Sequence, residues 1–163
     1  MFISAVLAAT IIPMDAKATI VDFNGKMGPL IVSKRYDVLT QISAARFTPE
    51  FEMRKADGRK MGLIDLANGG EAEMRNEREG RGDGPLQYVT TLHGWHRKGD
   101  TIVVKAINDV VGEALIGNRR KPVKFKSLVL ETWVRRDGEW KGLRFDEQWV
   151  RGTFDGKPIR QGA

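Results

Sequence analysis

The chain has 163 residues, of which 41% are hydrophobic and 29% are charged, a balance typical of one globular domain with a buried core rather than of a fibrous or disordered chain. The absence of cysteine excludes disulfide scaffolds, thiolate zinc sites, iron–sulfur clusters and thiol nucleophiles. The net charge of +6 favours anionic partners without identifying one.

The chain begins with an apolar segment of the kind found in secretory signals. An uncharged run at positions 2–12 is followed by Ala16-Lys17-Ala18, a small-residue pattern typical of the end of such signals. The run is too short to span a bilayer, and we expect no membrane partner. The other interpretation is a buried N-terminal helix. We therefore expect residues 1–18 to be a signal peptide of a periplasmic or secreted protein, with a cytoplasmic protein as the alternative, and residues 19–163 to form a single domain.

The first half of the chain predicts helices and a short hairpin. Apolar residues recur at intervals of three and four over residues 15–45, which indicates two helices. Gly28-Pro29 should kink or split this region. Residues 51–55 and 59–61 flank Ala56-Asp57-Gly58 and predict a hairpin, and residues 63–75 predict a third helix.

The second half predicts an antiparallel meander. Four long segments rich in aromatic and β-branched residues are separated by turns, at positions 86–97, 101–115, 123–136 and 139–154. A basic run from Arg119 to Lys126 has only Phe125 as an aromatic neighbour, which favours a solvated loop over a nucleic-acid-binding surface. Helices followed by a meander predict an α+β fold with the helices packed on one face of the sheet.

Three short motifs resemble the nuclear transport factor 2-like superfamily. Segment 131–143, which contains Trp133 and Arg135-Arg136-Asp137-Gly138, resembles its closing hairpin. Phe47-Thr48-Pro49-Glu50-Phe51 resembles its helix-to-strand junction, and Lys98-Gly99-Asp100-Thr101 resembles its turn before a buried strand. Within the superfamily, these motifs are most similar to those of the SnoaL-like and ketosteroid isomerase-like branches. The resemblance implies N-terminal helices that close a strongly curved antiparallel sheet into a cone-shaped α+β barrel with a pocket, and it implies a homodimer.

The resemblance implies a pocket and no single reaction, because the superfamily includes isomerases, dehydratases, hydrolases and proteins without catalysis. The tyrosine and aspartates of the isomerases and the Asp-Arg-Asp relay of the epoxide hydrolases have no matching positions in this sequence. We expect a pocket protein that binds a small apolar molecule and isomerises, dehydrates or hydrolyses it. The alternative is a non-catalytic dimeric module for ligand binding or assembly. Neither a cofactor nor a metal is expected.

The last predicted hairpin supplies the candidate catalytic residues. Asp137-Gly138 favours a two-residue turn, so Glu131 should lie opposite Arg144, with Asp146 on the same face. The resemblance assigns this face to the pocket. Arg144 would then keep Glu131 ionised, and Asp146 would be the acid or base. A plain cross-strand ion pair and a solvated carboxylate are the alternatives for these residues.

The predicted pocket face also carries candidates for ligand contact, and for one of them, Trp133, packing in the core is the alternative. These candidates are Tyr88, His96, Asn108, Trp133 and Gln148. His93 and His96 lie three apart on a strand and point to opposite faces, which disfavours a metal site. On the other face an apolar patch is expected to form the dimer interface. Its members are Leu130, Thr132, Val134, Leu143 and Phe145.

Overall fold

A computed structural model describes residues 11–163, and within this range three helices pack on a curved seven-stranded sheet. The helices are α1 (Met14–Val32), α2 (Tyr36–Arg46) and α3 (Leu63–Arg78). The strands are β1 (Phe47–Arg54), β2 (Lys60–Met61), β3 (Gly84–Lys98), β4 (Thr101–Ile116), β5 (Arg119–Arg136), β6 (Glu139–Phe154) and β7 (Lys157–Gly162). The predicted α+β fold is confirmed.

The sheet has the strand order β2-β1-β6-β5-β4-β3, and β7 pairs with β6. All pairings are antiparallel except that of β1 with β6, where Phe47 lies opposite Gly142 and Met53 opposite Phe145. The four long strands of the meander match the prediction, whereas β7 and the parallel pairing were not predicted. The basic run is not a loop, because Arg119 begins β5.

Helix α1 passes through Gly28 and Pro29 instead of breaking there. Gly28 allows the helix to touch β3, since a Cβ atom at this position would lie 2.3 Å from the carbonyl oxygen of Tyr88. The helix ends at Val32, and Lys34, with a φ of 60°, turns the chain into α2. The break predicted at Gly28-Pro29 therefore occurs one turn later.

The core is an aromatic cluster between α1 and the concave face of the sheet, which is the face that the helices cover. The ring of Phe23 lies 5.1 Å from that of Phe47 and 5.4 Å from that of Trp133, and Phe47 stacks on Phe51 at 4.0 Å. Trp133 has no exposed surface. Each such ring stabilises the fold by about 2–3 kcal/mol through burial.

The first turn of α1 contains the end of the expected signal peptide. Ala16 is fully buried, and Asp15 accepts a hydrogen bond of 3.2 Å from Nε1 of Trp140. Processing after Ala18 would remove both contacts. Signal cleavage stays a prediction, and most of the apolar run on which it rests lies outside the described residues. Across positions 11–163, no helix has both the length and the apolar character needed to cross a bilayer.

The last hairpin starts in the predicted register and then departs from it. From the turn to the pairing of Trp133 with Gly142, each residue of β5 faces its predicted partner. A β-bulge then inserts one extra residue into β6, so Glu131 lies opposite Phe145 and Thr132 opposite Arg144. The predicted pairing of Glu131 with Arg144 is therefore wrong.

The bulge reverses which side chains of β6 face the helices, because a one-residue shift moves every side chain to the other face. Phe145, expected on the convex face, is 4% exposed in the core. Arg144 and Asp146, expected in the pocket, point to the opposite side from Phe145. The predicted dimer patch loses Phe145 for the same reason.

A second departure occurs in β3. The register shifts between His93 and His96, where Gly94 has a φ of 62°. Trp95 consequently packs against the core, and His96 is exposed opposite Val103. The placement of His96 on the pocket face is wrong, since the bulge inverts the alternation that predicted it.

Candidate functional site

Glu131 is a buried carboxyl group on the concave face, with 3% of its surface exposed. Its Oε2 atom accepts a hydrogen bond of 3.0 Å from Nδ2 of Asn24 and one of 2.9 Å from Nε1 of Trp133. Asn24 is held in place by a hydrogen bond of 3.1 Å to the carbonyl oxygen of Ile20. Among the residues the structure describes, no cation pairs with Glu131, and its Oε1 atom accepts no hydrogen bond.

Burial raises the pKa of Glu131 to about 7, and the hydrogen bonds from Asn24 and Trp133 partly oppose this effect. Desolvation dominates because the charged form has lost its water and has gained only two neutral donors. A carboxyl group with this pKa is half protonated at neutral pH. It can therefore both accept and release a proton under physiological conditions.

Trp133→Phe is expected to raise the pKa of Glu131 above its wild-type value. The substitution keeps an aromatic ring in the core and removes the Nε1 donor that stabilises the charged carboxylate. Infrared difference spectroscopy of the carboxyl stretch reports the titration midpoint. Trp140→Phe is the matched control, because Nε1 of Trp140 donates to Asp15 instead. An unchanged midpoint in Trp133→Phe would contradict this role of the indole.

An apolar cavity of about 290 Å³ lies between the helices and the sheet. Phe145, the cross-strand partner of Glu131, lines it, as does Phe23, the chain neighbour of Asn24. The other lining residues are Met27, Tyr36, Leu39, Thr40, Ser43, Phe47, Met53, Met61, Leu66, Gly69, Gly70 and Glu73. These mostly hydrophobic walls suit an apolar ring or chain.

A second, more polar cavity of about 200 Å³ lies on the concave face. It is lined by Met53, Lys55, Tyr88, Asn108, Phe125, Ser127, Val129 and Glu147. Met53 lines both cavities. Glu131 itself lines neither cavity, but Phe145, opposite it, lines the apolar one, and Val129, two residues away on the same face of β5, lines the polar one.

The predicted site residues divide into two groups. Glu131, Trp133, Tyr88 and Asn108 lie on the concave face, and burial together with the charges of Glu131 and Glu147 raises the pKa of Tyr88 to about 12. This pKa keeps the Tyr88 hydroxyl protonated, as a hydrogen-bond donor, at neutral pH.

The remaining predicted residues lie away from the cavities. Nε of Arg144 donates to Oδ2 of Asp146 at 2.9 Å, and Nε of Arg54 lies 3.7 Å from Oδ1 of Asp146. Asp146 is thus paired with two guanidinium groups, and Arg144 is exposed. Gln148 is exposed at the second bulge of β6. In the described part of the chain, no three His, Asp or Glu side chains form a group that could hold a metal ion.

Sequence reasoning missed Asn24 and the ion pair of Lys55 with Glu147. Asn24 follows Phe23 and lies four residues after Ile20, so it belongs to the buried face of α1. A polar residue on an apolar helical stripe was the available signal. Lys55 and Glu147 gave no signal, because their ion pair of 2.7 Å joins distant segments.

Solved structures share this architecture. A nuclear transport factor 2-like protein from Cytophaga hutchinsonii is 16% identical, with a TM-score of 0.55 over 82% of this chain and 98% of its own. This chain has the nuclear transport factor 2-like fold. Aln2 from a Streptomyces species has the same fold at 15% identity and a TM-score of 0.60, over 84% of this chain and 92% of its own.

A further neighbour with the nuclear transport factor 2-like fold comes from Novosphingobium aromaticivorans and is provisionally described as a scytalone dehydratase. It is 12% identical, with a TM-score of 0.54 over 91% of this chain and 89% of its own. No protein-family model matches the chain, and no curated protein matches it at a significant level. At these identities the likeness concerns the fold.

Proposed function

We propose that the protein binds a small, largely apolar molecule in the 290 Å³ cavity and that Glu131 transfers a proton to and from it. The observation that carries this proposal is a buried carboxyl group with no cationic partner in the described chain and a pKa of about 7, whose cross-strand partner Phe145 lines the apolar cavity. Clefts of this kind, with one perturbed titratable group, are the usual setting of general acid–base catalysis.

The two oxygens of Glu131 have separate tasks in this proposal. Oε2 is held by Asn24 and Trp133, which fixes the plane of the carboxyl group. Oε1 removes a proton from the bound molecule. The same atom then returns the proton to a different carbon, which is an isomerisation, or to a departing hydroxyl, which is a dehydration that releases water. The fold neighbour described as a dehydratase belongs to the second class of reaction.

The test starts from the natural ligand, recovered by native mass spectrometry of protein purified from its own host. Glu131→Gln should slow turnover of that ligand by about a hundredfold or more and leave its affinity nearly unchanged. Asp146→Asn is the control, since Asp146 is paired with Arg144 on the other face, and it should retain full turnover. A ligand that wild-type protein binds without converting would instead support a non-catalytic carrier.

We also propose a homodimer through the convex face, where Ile107, Leu128, Leu130 and Trp149 are half-buried neighbours. Light scattering should report twice the chain mass of 18.3 kDa. Leu130→Lys should dissociate the dimer because it places a charge among these four apolar side chains. Ile64→Lys, on exposed α3, should leave the mass unchanged. A wild-type monomer at micromolar concentration would contradict the proposal.

A further inference from the structure

The polar cavity contains two hydroxyl groups that have no acceptor among the described residues. Ser127 is 2% exposed, and its Oγ accepts a hydrogen bond of 3.3 Å from Nδ2 of Asn108 without donating one in turn. Tyr88 lines the same cavity, and its hydroxyl forms no hydrogen bond within residues 11–163. Buried hydroxyl groups normally donate their hydrogen.

A chain of hydrogen bonds fixes the direction in which Ser127 donates. Oγ1 of Thr90 donates to Oδ1 of Asn108 at 2.8 Å, and this sets the orientation of the Asn108 amide. The Asn108 amide then donates to Ser127. Because each bond polarises the next, Ser127 presents its proton to the cavity as a strengthened donor.

The charges around the cavity disfavour an anionic occupant. Nζ of Lys55 lies 2.7 Å from Oε1 of Glu147, and the amide of Ala56 donates to Oε2 of Glu147 at 3.0 Å. Lys55, the one cation among the described lining residues, is therefore already neutralised. Glu131, which has no cationic partner among the described residues, acts on Tyr88 as a negative charge, so a further carboxylate there would be repelled.

We propose that the polar cavity binds a neutral carbonyl oxygen, as in a ketone, ester or amide, through hydrogen bonds donated by Ser127 and Tyr88. The cavity volume of about 200 Å³ holds a small carbonyl-bearing group. Since Met53 lines both cavities, the apolar part of the same molecule extends into the larger one. This extension rests on the proposed function, and the carbonyl site itself does not.

The test is an NMR titration of the labelled full chain with acetophenone, ethylbenzene and benzoate, which share an aromatic ring and differ in the oxygen. Acetophenone should shift the amide signals of Tyr88, Asn108 and Ser127, whereas ethylbenzene should shift those of the apolar cavity. Tyr88→Phe and Ser127→Ala should each weaken acetophenone binding by about three- to tenfold, the value of one neutral hydrogen bond, and should leave ethylbenzene unaffected.

The chain supplies a matched control for the serine variant. Ser33, which follows the end of α1, lines neither cavity, so Ser33→Ala should not change acetophenone affinity. Undiminished acetophenone binding in Tyr88→Phe would overturn the proposal even if Ser127→Ala failed to fold. So would benzoate binding more tightly than acetophenone, or absence of acetophenone binding at the polar cavity. None of these readouts depends on turnover, so loss of the proposed Glu131 chemistry would leave them intact.

Discussion

The difference in free energy of unfolding between Glu131→Gln and wild type is expected to shift in favour of the variant as the pH rises. The pKa of Glu131 is about 7 in the folded protein and near 4.5 in the unfolded chain, so the folded wild type binds more protons between these values. Its stability therefore falls as pH rises from 4.5 to 7 and is flat above, for a total loss of about 3 kcal/mol. Glutamine keeps an acceptor oxygen for Asn24 and Trp133 and carries no charge.

Urea denaturation of both proteins at a series of pH values from about 4.5 to 8 measures this effect. Taking the difference between them cancels the titration of every other group. Glu50→Gln serves as the control, because Glu50 is an exposed partner of Arg136 and its loss should change the free energy of unfolding by about 1 kcal/mol or less. A difference between Glu131→Gln and wild type that stays constant with pH would show that the carboxyl titrates normally.

Gly28→Ala is expected to destabilise the protein by about 2–3 kcal/mol, because the new methyl group would overlap the β3 backbone. The overlap involves the carbonyl oxygen of Tyr88, at 2.3 Å, and a main chain in a sheet cannot move aside as a flexible side chain can. Helix α1 must then shift away from β3. Tyr88 should lose its place in the polar cavity, which couples the packing of this helix to ligand binding.

Gly25→Ala is the matched substitution one turn earlier. A methyl group at Gly25 meets nothing within 4 Å, so only helix propensity changes, and the protein should gain about 0.5–1 kcal/mol. Thermal unfolding of both variants separates contact from propensity. Equal effects of the two substitutions would contradict the close approach of α1 to β3.

The elements and the hairpin turn could be predicted from the sequence because they depend on local patterns. The periodicity of residues 15–45 and the Asp137-Gly138 turn are properties of neighbouring residues, and both the helices and the start of the last hairpin follow them. The family resemblance, rather than a local pattern, assigned Glu131 to the concave face, and its hydrogen bond with Asn24 of α1 places it there.

The site itself could not be predicted because it depends on bulges and on distant contacts. Gly94 and Gly142 lie inside strands beside the register shifts, and interior strand glycines were the available signal for them. The helix-borne partner of Glu131 is Asn24, at a separation of 107 residues, which no pattern in the last hairpin encodes. Because the bulge was not predicted, a salt bridge with Arg144 was expected for Glu131, whereas its partners are the neutral donors Asn24 and Trp133.

The contacts of α1 with β5 and β6 have a consequence for how the protein is made. The hydrogen bond between Trp140 and Asp15 spans 125 positions, and Phe23 reaches its core partners Trp133 and Phe145 only when β5 and β6 exist. During synthesis, α1 therefore leaves the ribosome long before its partners, and the part of its apolar face that contacts β5 and β6 stays exposed until those strands have been translated. Nascent chains in that state are the ones that aggregate or engage chaperones. A chain that stops before β5 contains all three helices but lacks Trp133 and Phe145, two of the rings that Phe23 packs against.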